Sequence, residues 1–322
     1  MRGKGGYTVS GAKRVRSKIL RDGARLAVVS PASAARRDLV EKGMTTLMGL
    51  GYQSVIFPHS LDKGPLTFAG SAQERADDLH RAFSDKSIDG VVCTRGGWGS
   101  AELLPLLKAE VFRAHPKPFI GYSDQCALHT WLQQEAGLVT FHGPMLASDF
   151  AREGGVDAAS WQSALRGDAN WEVGKADGLR VMQPGVAKGM LRGGCISILT
   201  ESLATPYAFV PKDSILFLED IGHHPYQWDR QMLHLRYSGI LDSVRGIIFG
   251  DMAQCVSSQA EAEKMEQVLR YSLRGFEGPV AIGLRSGHVN EANVTLPLGV
   301  EAELDLSGEN PRLHFLEAAV SG

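Results

Sequence analysis

The sequence has few of the features that mark secreted or membrane-spanning proteins. Its 322 residues include only four cysteines, none of them in a CxxC pair: Cys93, Cys126, Cys195 and Cys255. Widely spaced thiols in apolar segments pack as small hydrophobic side chains, which favours a reducing compartment over a disulfide framework. No segment approaches the roughly 20 apolar residues that a membrane-spanning helix needs. We therefore expect a cytoplasmic protein with no membrane partner.

A marked excess of either charge is also absent, since the formal net charge is -2. Nucleic acid is therefore not an expected partner. The exception is residues 1–21, which contain Lys and Arg but no acidic residue. No apolar stretch follows them, so they do not have the pattern of a secretory signal. We predict that residues 1–21 form a disordered basic extension.

The chain lacks the spacing of common metal and dinucleotide motifs. It has no HExxH sequence, and apart from the adjacent pair His223 and His224 its histidines are scattered. The glycine-rich segment 96–100, GGWGS, does not have GxGxxG spacing. We expect neither a metal ion nor another cofactor.

Short apolar runs alternate with helical patterns over residues 22–165, which is typical of a parallel sheet covered by helices. The clearest helix begins at the capping box Ser71-Ala72-Gln73-Glu74. A polar, glycine-rich segment, 166–187, predicts a linker. Residues 188–322 contain further strands and helices and end in two runs that read as antiparallel strands. The sequence thus predicts an N-terminal and a C-terminal α/β domain.

Ser123 follows the apolar run Phe119–Tyr122 and precedes a helical pattern. A serine at a sharp strand-to-helix turn is held clear of the sheet, beside free amides of the helix's first turn, as a nucleophilic hydroxyl must be. The surrounding sequence matches the GxSxG motif only at its first glycine, Gly121. Capping of the following helix is an equally good interpretation of this serine.

Two further strand ends lead into polar residues, Glu219 in LFLEDIG and His288 in LRSGHVN. A serine nucleophile needs a base within hydrogen-bond reach, and that base needs an acceptor to orient it. The order Ser, Glu, His occurs in hydrolases with α/β folds. Taken singly, Glu219 could be a solvated strand end and His288 a hydrogen-bonded loop residue.

The segment Cys93-Thr94-Arg95-Gly96-Gly97-Trp98-Gly99-Ser100 lies between a strand and a helix. Its glycines would let backbone amides approach a ligand, as a phosphate cradle or an oxyanion hole, although a tight turn explains them equally well. Cys126, three residues after Ser123, is interpreted as a packed helix residue rather than a nucleophile.

Taken together, these segments resemble the LD-carboxypeptidase family of serine peptidases, which includes the microcin immunity peptidases. The resemblance runs from about Gly23 to the end of the chain through motifs in the same order. They are VVSPAS, GPLTFAGSAQERADDL, DGVVCTRGGWGS, FIGYSD, FHGPM, LRGGCISIL, LFLEDIG, PYQWDR and SGHVNEANVTLPLG.

The resemblance implies an N-terminal flavodoxin-like parallel-sheet domain carrying Ser123 as nucleophile. It also implies a smaller, mixed C-terminal domain with antiparallel strands, carrying Glu219 as orienter and His288 as general base. The oxyanion hole would be formed by backbone amides of Asp124 and Gly97, with Gly96 as the alternative to Gly97. The site would lie between the domains, and a homodimer is implied.

The implied reaction is metal-independent hydrolysis of the amide before the terminal D-alanine of a muropeptide tetrapeptide, as in peptidoglycan recycling, through an acyl-enzyme. Arg95 or Arg230 could bind the substrate carboxylate, and Trp98 could form a wall of the pocket. For the two arginines a solvated surface position, and for Trp98 a core position, are the alternatives.

Two sequence features keep the substrate open. Trp98 stands where the family often has tyrosine, and His223-His224-Pro225 follows LEDIG where other residues are usual. A microcin-like acyl or peptidyl amide is the alternative substrate. A non-catalytic protein that binds an anionic ligand at the glycine turn is the alternative of another class.

Overall fold

The computed structural model describes residues 13–322. Its strands are β1 (Arg25–Val29), β2 (Gln53–Ile56), β3 (Gly90–Cys93), β4 (Phe119–Gly121), β5 (Thr140–His142), β6 (Glu172–Gly174), β7 (Arg180–Gln183), β8 (Val186–Cys195), β9 (Ser214–Glu219), β10 (Gly246–Gly250), β11 (Val280–Leu284), β12 (Leu296–Leu298), β13 (Glu301–Asp305) and β14 (Arg312–Phe315). Its helices are α1 (Arg37–Gly49), α2 (Ala72–Ser84), α3 (Ala109–Ala114), α4 (Cys126–Glu135), α5 (Ala158–Arg166), α6 (Ile196–Glu201), α7 (Pro225–Tyr237) and α8 (Gln259–Ser272).

The first sheet has the order β2-β1-β3-β4-β5, with all five strands parallel, and β12 pairs antiparallel with β5. This strand order is that of flavodoxin-like folds, so the predicted fold class is confirmed. In such sheets ligands bind beyond the carboxyl ends of the strands, where the strand order reverses. Here the reversal lies at β1 and β3.

The second sheet is mixed. Its strands β8, β9, β10 and β11 are parallel, whereas β7 pairs antiparallel with β11, and β13, β14 and β6 extend the other edge in antiparallel pairs. The prediction of a mixed C-terminal unit with antiparallel strands is therefore confirmed.

The chain crosses between the sheets near its C-terminal end. β11 belongs to the second sheet, β12 to the first, and β13 to the second again. One hydrophobic core is continuous across the junction, with Leu26 and Phe141 from the first sheet and Leu191, Phe217 and Leu304 from the second. Burial of this apolar surface holds the two sheets together.

Two segments differ from the sequence expectation. Residues 13–21 of the basic extension are ordered against the rest of the chain: Val15 forms a β-bridge with Leu138, and Lys18 with Ser321. Residues 1–12 lie outside the described residues. The predicted linker, 166–187, contains the short strands β6 and β7, because their backbone groups pair with β14 and β11. The domain boundaries stay a prediction.

The predicted helix after the capping box is α2. The hydroxyl of Ser71 accepts a hydrogen bond from the Glu74 amide, and the Glu74 carboxylate accepts one from the Ser71 amide. Within residues 13–322, no helix combines the length and apolar character needed to cross a membrane.

Candidate active site

Ser123 lies in a strained turn beyond the carboxyl end of β4. Its φ is 64°, in the left-handed region that non-glycine residues rarely adopt. A short 3-10 turn, Ser123–Gln125, begins there and runs into α4. The Ser123 hydroxyl caps neither helix and instead lies 3.1 Å from Nε2 of His288. The capping alternative therefore does not describe this side chain.

Glu219 is the last residue of β9, and its carboxylate is 1% exposed. Its Oε2 lies 2.8 Å from Nδ1 of His288 and accepts a second hydrogen bond, 3.0 Å long, from the His288 amide. This double contact fixes both the ring and the backbone of His288. Serine, imidazole and carboxylate thus form one continuous chain of polar contacts across the two sheets.

The loop that carries His288 connects β11 to β12 and is clamped by a buried asparagine. Asn293 accepts a hydrogen bond from the Gly287 amide and donates one to the Gly287 carbonyl, each 3.0 Å long. Gly287 has φ +95°, and a Cβ added there would lie 2.5 Å from Cδ of Glu219. Only glycine allows the loop to approach the carboxylate this closely.

Glu219 and His288 shift each other's pKa values towards the charged form of each. Burial raises the pKa of Glu219, but the charge of His288 and the neighbouring imidazole of His142 outweigh burial and hold that pKa well below its usual range. Burial lowers the pKa of His288, but the charge and hydrogen bond of Glu219 outweigh it, so the net shift is upward. The carboxylate is therefore ionised, and the imidazole is a stronger base than in water.

The glycine turn after β3 lies directly against Ser123. A Cβ added at Gly96 would lie 2.6 Å from the Ser123 hydroxyl, so any larger residue would displace it. Gly97, with φ +106°, packs against the hydroxyl of Ser33. The Gln125 side chain holds the turn by donating a hydrogen bond, 2.7 Å long, to the Arg95 carbonyl. The turn therefore brings its backbone against the side chain of Ser123.

The amide of Asp124 is the other predicted oxyanion donor. The first hydrogen bond of its turn is donated by Gln125 to the Tyr122 carbonyl, which leaves the Asp124 amide out of the helical ladder. The Asp124 carboxylate accepts a hydrogen bond, 2.8 Å long, from the Ser100 amide. This bond links the turn before α4 to the glycine turn.

Two cavities open at the site. A cavity of about 250 Å³ contains both Ser123 and His288, and a neighbouring one of about 590 Å³ lies towards the segment 63–68. Arg95 and Gly97 line both. The glycine turn is therefore a wall common to both cavities.

The structure brings two of the three predicted substrate-binding residues to this cleft. Arg95 is exposed and lines both cavities, and Trp98 is 54% exposed on the wall of the larger one. Trp98 is held there by a 2.6 Å bond from Nε1 to Thr67, so it is not a core residue. Arg230 lies elsewhere, on α7, with its guanidinium over the ring of Tyr226, and lines neither cavity.

Two aromatic neighbours of the site were not among the predicted residues. The ring of Tyr122 meets the ring of His288 edge-on, with 5.0 Å between centroids. His142, the last residue of β5, is fully buried with Nε2 3.6 Å from Oε1 of Glu219. The polar end of the apolar strand in FHGPM was the signal that could have identified His142.

Cys126 and the possible metal ligands were the other candidates for reactive side chains. Cys126 is buried, and burial raises the pKa of its thiol well above the ordinary value. It packs as predicted, with its sulfur 3.2 Å from the Cys195 amide. Among residues 13–322, no cluster of three or more His, Cys, Asp or Glu is placed to hold a metal ion.

Known proteins match this chain over most of its length. The LD-carboxypeptidase N-terminal domain model matches residues 26–143, and the corresponding C-terminal domain model matches residues 188–304. A putative carboxypeptidase of Streptomyces coelicolor is 37% identical over 90% of this chain and 93% of its own length. A probable murein peptide carboxypeptidase of Bacillus subtilis is 33% identical over 94% of this chain and 95% of its own.

A solved structure extends the comparison. It is an MccF-like protein of Bacillus anthracis, where MccF is the name of a microcin C7 self-immunity protein. It superposes with a TM-score of 0.85 at 25% identity, over 94% of this chain and 99% of its own. The matches of both halves, in one chain and in this order, show that the protein belongs to the LD-carboxypeptidase family of peptidases.

Proposed function

We propose that this protein is a serine-type LD-carboxypeptidase that removes the terminal D-alanine from muropeptide tetrapeptides. The observation that carries the proposal is the contact chain from Ser123 through His288 to Glu219, 3.1 and 2.8 Å long. The name of the Bacillus subtilis relative supports a murein peptide as the substrate.

In the proposed mechanism, His288 takes the proton of Ser123 as the oxygen attacks the carbonyl carbon of the last amide. Breakdown of the tetrahedral intermediate breaks the C–N bond, and His288 gives the proton to the leaving amine of D-alanine. A water molecule, deprotonated by His288, then attacks the ester carbonyl. The C–O bond to Ser123 breaks, and His288 returns the proton to the serine oxygen. Glu219 holds the ring orientation and stabilises the imidazolium in each step.

The oxyanion formed in both steps needs donors aimed at it. The amides of Gly97 and Asp124 are the proposed donors, with Gly96 as the alternative to Gly97. Backbone donors held on a rigid turn need no reorganisation as charge develops, and one such donor is worth roughly 10²–10³-fold in rate.

The cleft suggests how the substrate binds. Arg95 is the proposed partner of the terminal carboxylate, because its exposed guanidinium lines the small cavity around Ser123. The larger cavity, with Trp98 on its wall, would hold the acyl portion of the peptide. Arg230 remains a proposal from its charge alone, and its position outside both cavities does not support it.

The test is incubation of purified protein with a tetrapeptide ending in D-alanine, with release of D-alanine measured by mass. We expect release by the wild type and none by Ser123→Ala, whose unfolding midpoint should stay close to that of the wild type. The matched peptide ending in L-alanine should remain intact. Full activity of Ser123→Ala would contradict the mechanism.

A microcin-like acyl or peptidyl amide is the second candidate substrate, favoured by the likeness to the MccF-like structure. Cleavage of such an amide by the wild type, with the tetrapeptide left intact, would support it. Binding of an anionic ligand without turnover, together with no labelling of Ser123 by a fluorophosphonate probe, would instead support the non-catalytic alternative.

A further inference from the structure

The second oxygen of the Glu219 carboxylate has no hydrogen-bond partner within the described residues. Oε2 has two donors from His288, but Oε1 is buried and has none. Nε2 of His142 lies 3.6 Å from Oε1, and it is likewise buried and without a hydrogen-bond partner within residues 13–322. A donor and an acceptor with no alternative partners therefore face each other just beyond hydrogen-bond distance.

Buried polar atoms that stay unpaired are rare because losing water without a replacement partner is costly. A movement of a few tenths of an ångström would bring this pair within bonding distance. Hydrogen bonds in catalytic sites are often long in the free enzyme and shorten when substrate binds. Formation of a hydrogen bond between Nε2 of His142 and Oε1 of Glu219 is therefore favourable and needs only a small movement.

The Glu219 carboxylate decides which way the proton of His142 points, because an ionised carboxylate only accepts hydrogen bonds, whereas the hydroxyl at the other ring nitrogen can donate or accept. Nδ1 lies 3.1 Å from the hydroxyl of buried Ser286, which can donate to it. With Nδ1 as acceptor, the neutral ring carries its proton on Nε2 and directs it at Oε1 of Glu219. The ring of Phe217 packs edge-on against the His142 ring, with 5.2 Å between the ring centroids, and fixes its position.

We infer that His142 is a positioning residue, which holds the Glu219 carboxylate through Oε1 while His288 is held through Oε2. This inference rests on the proposed serine mechanism. His142 does not touch the substrate and acts only through Glu219. The carboxylate then has a donor on each oxygen and cannot rotate away from His288.

The effect on the base has a definite sign. A donor on Oε1 shares the carboxylate's charge and weakens its attraction for protonated His288, so removing the donor raises the pKa of His288. The other titratable groups that face this pair come from several elements: Tyr122 after β4, Cys126 and His129 on α4, Asp149 after β5, Cys195 at the end of β8 and Asp220 after β9.

The test compares two amides. His142→Gln can place its amide donor where Nε2 lies, whereas His142→Asn keeps an amide only near Nδ1 and Ser286. We expect kcat and the rate of Ser123 labelling by a fluorophosphonate to fall about 10- to 100-fold in His142→Asn, with KM little changed. The acid limb of its pH–rate profile should move to higher pH. His142→Gln should stay within a few-fold of the wild type on both measures.

Ser286→Ala is the second variant, in case His142→Asn does not fold. It removes the hydroxyl that can donate to Nδ1 and so support the proton on Nε2, and labelling should therefore slow while the midpoint of unfolding changes little. Equal losses in the Gln and Asn variants, or wild-type rates and acid limb in Ser286→Ala, would overturn the inference.

The labelling rate separates this inference from the substrate proposal. If wild-type Ser123 is labelled but the tetrapeptide is not cleaved, the substrate proposal fails and the comparison of His142 variants still holds. If wild-type Ser123 is neither labelled nor active on any amide, the serine mechanism and the inference fail together.

Discussion

At the scale of single residues, the backbone at Ser123 is under strain that the site requires. A non-glycine residue with φ 64° costs of the order of 1–3 kcal/mol. The neighbouring Gly96 has no side chain, and this leaves the space that the Ser123 hydroxyl occupies beside the glycine turn. The surrounding fold therefore holds the hydroxyl in the one position from which it meets His288.

The charge of Glu219 gives the first of the residue-scale predictions. Because Glu219 raises the pKa of His288, the acid limb of kcat/KM should lie above the ordinary histidine value of 6.5, with activity rising as His288 loses its proton. In Glu219→Gln the burial remains but the charge is gone, so the limb should move to lower pH. We also expect kcat to fall about 10⁴-fold, as when a triad carboxylate becomes an amide.

The pH–rate profile of D-alanine release measures both effects. Glu291→Gln is the matched control, because Glu291 is an exposed carboxylate on the loop that carries His288 and pairs with Arg285. It should keep the wild-type limb. An unmoved limb in Glu219→Gln would show that Glu219 does not set the basicity of His288.

The residues could be predicted from the sequence to different degrees. Ser123, Glu219 and His288 each follow an apolar strand, and polar residues at such positions stand out. His142 also ends a strand, but its role depends on the placement of β5 beside the end of β9, which no local pattern encodes. Arg230 was chosen for its charge alone. Its position could not be predicted, because tertiary packing sets which face of α7 points towards the cleft.

At the scale of elements, the loop between β11 and β12 determines where the base lies. Gly287 gives this loop its left-handed turn and its close approach to Glu219. We expect Gly287→Ala to lower the free energy of unfolding by about 1–3 kcal/mol and to reduce kcat, because the added methyl group displaces the carboxylate. Urea unfolding and D-alanine release measure the two effects.

Gly308→Ala is the control for this change. Gly308 lies in a loop with no atom near its added Cβ and without a left-handed backbone, so stability and activity should both be retained. Full activity in Gly287→Ala would mean that the loop tolerates a shift of Glu219.

The strands β6 and β7 show why some elements could not be predicted. They are only three and four residues long, EVG and RVMQ, which is too short for an alternating pattern to mark them. They are strands because β14 and β11 offer unpaired backbone groups at the edges of the second sheet. The parallel strands of the first sheet are apolar and regularly spaced, and the sequence predicted them directly.

At the scale of the whole molecule, catalysis depends on both sheets at once. The serine comes from the first sheet, and the carboxylate from the second, while the histidine lies on the segment that crosses between them. Any shift of one sheet against the other would change the 3.1 Å contact before it disturbed either sheet. The continuous core beneath the junction is what prevents that shift.

The crossing strand β12 also means that the covalent link between the two halves is dispensable once the chain has folded. The segment 168–170 is exposed, and a protease site inserted there could be cut in the folded protein. The two pieces should stay together on size-exclusion chromatography and keep Ser123 reactive, because β12 from the second piece remains paired with β5 of the first. Separation of the pieces without denaturant would contradict this, and the uncut insertion protein is the control. The cut protein would then be a non-covalent complex of two chain fragments, and the reactivity of Ser123 would report whether the fragments are correctly assembled.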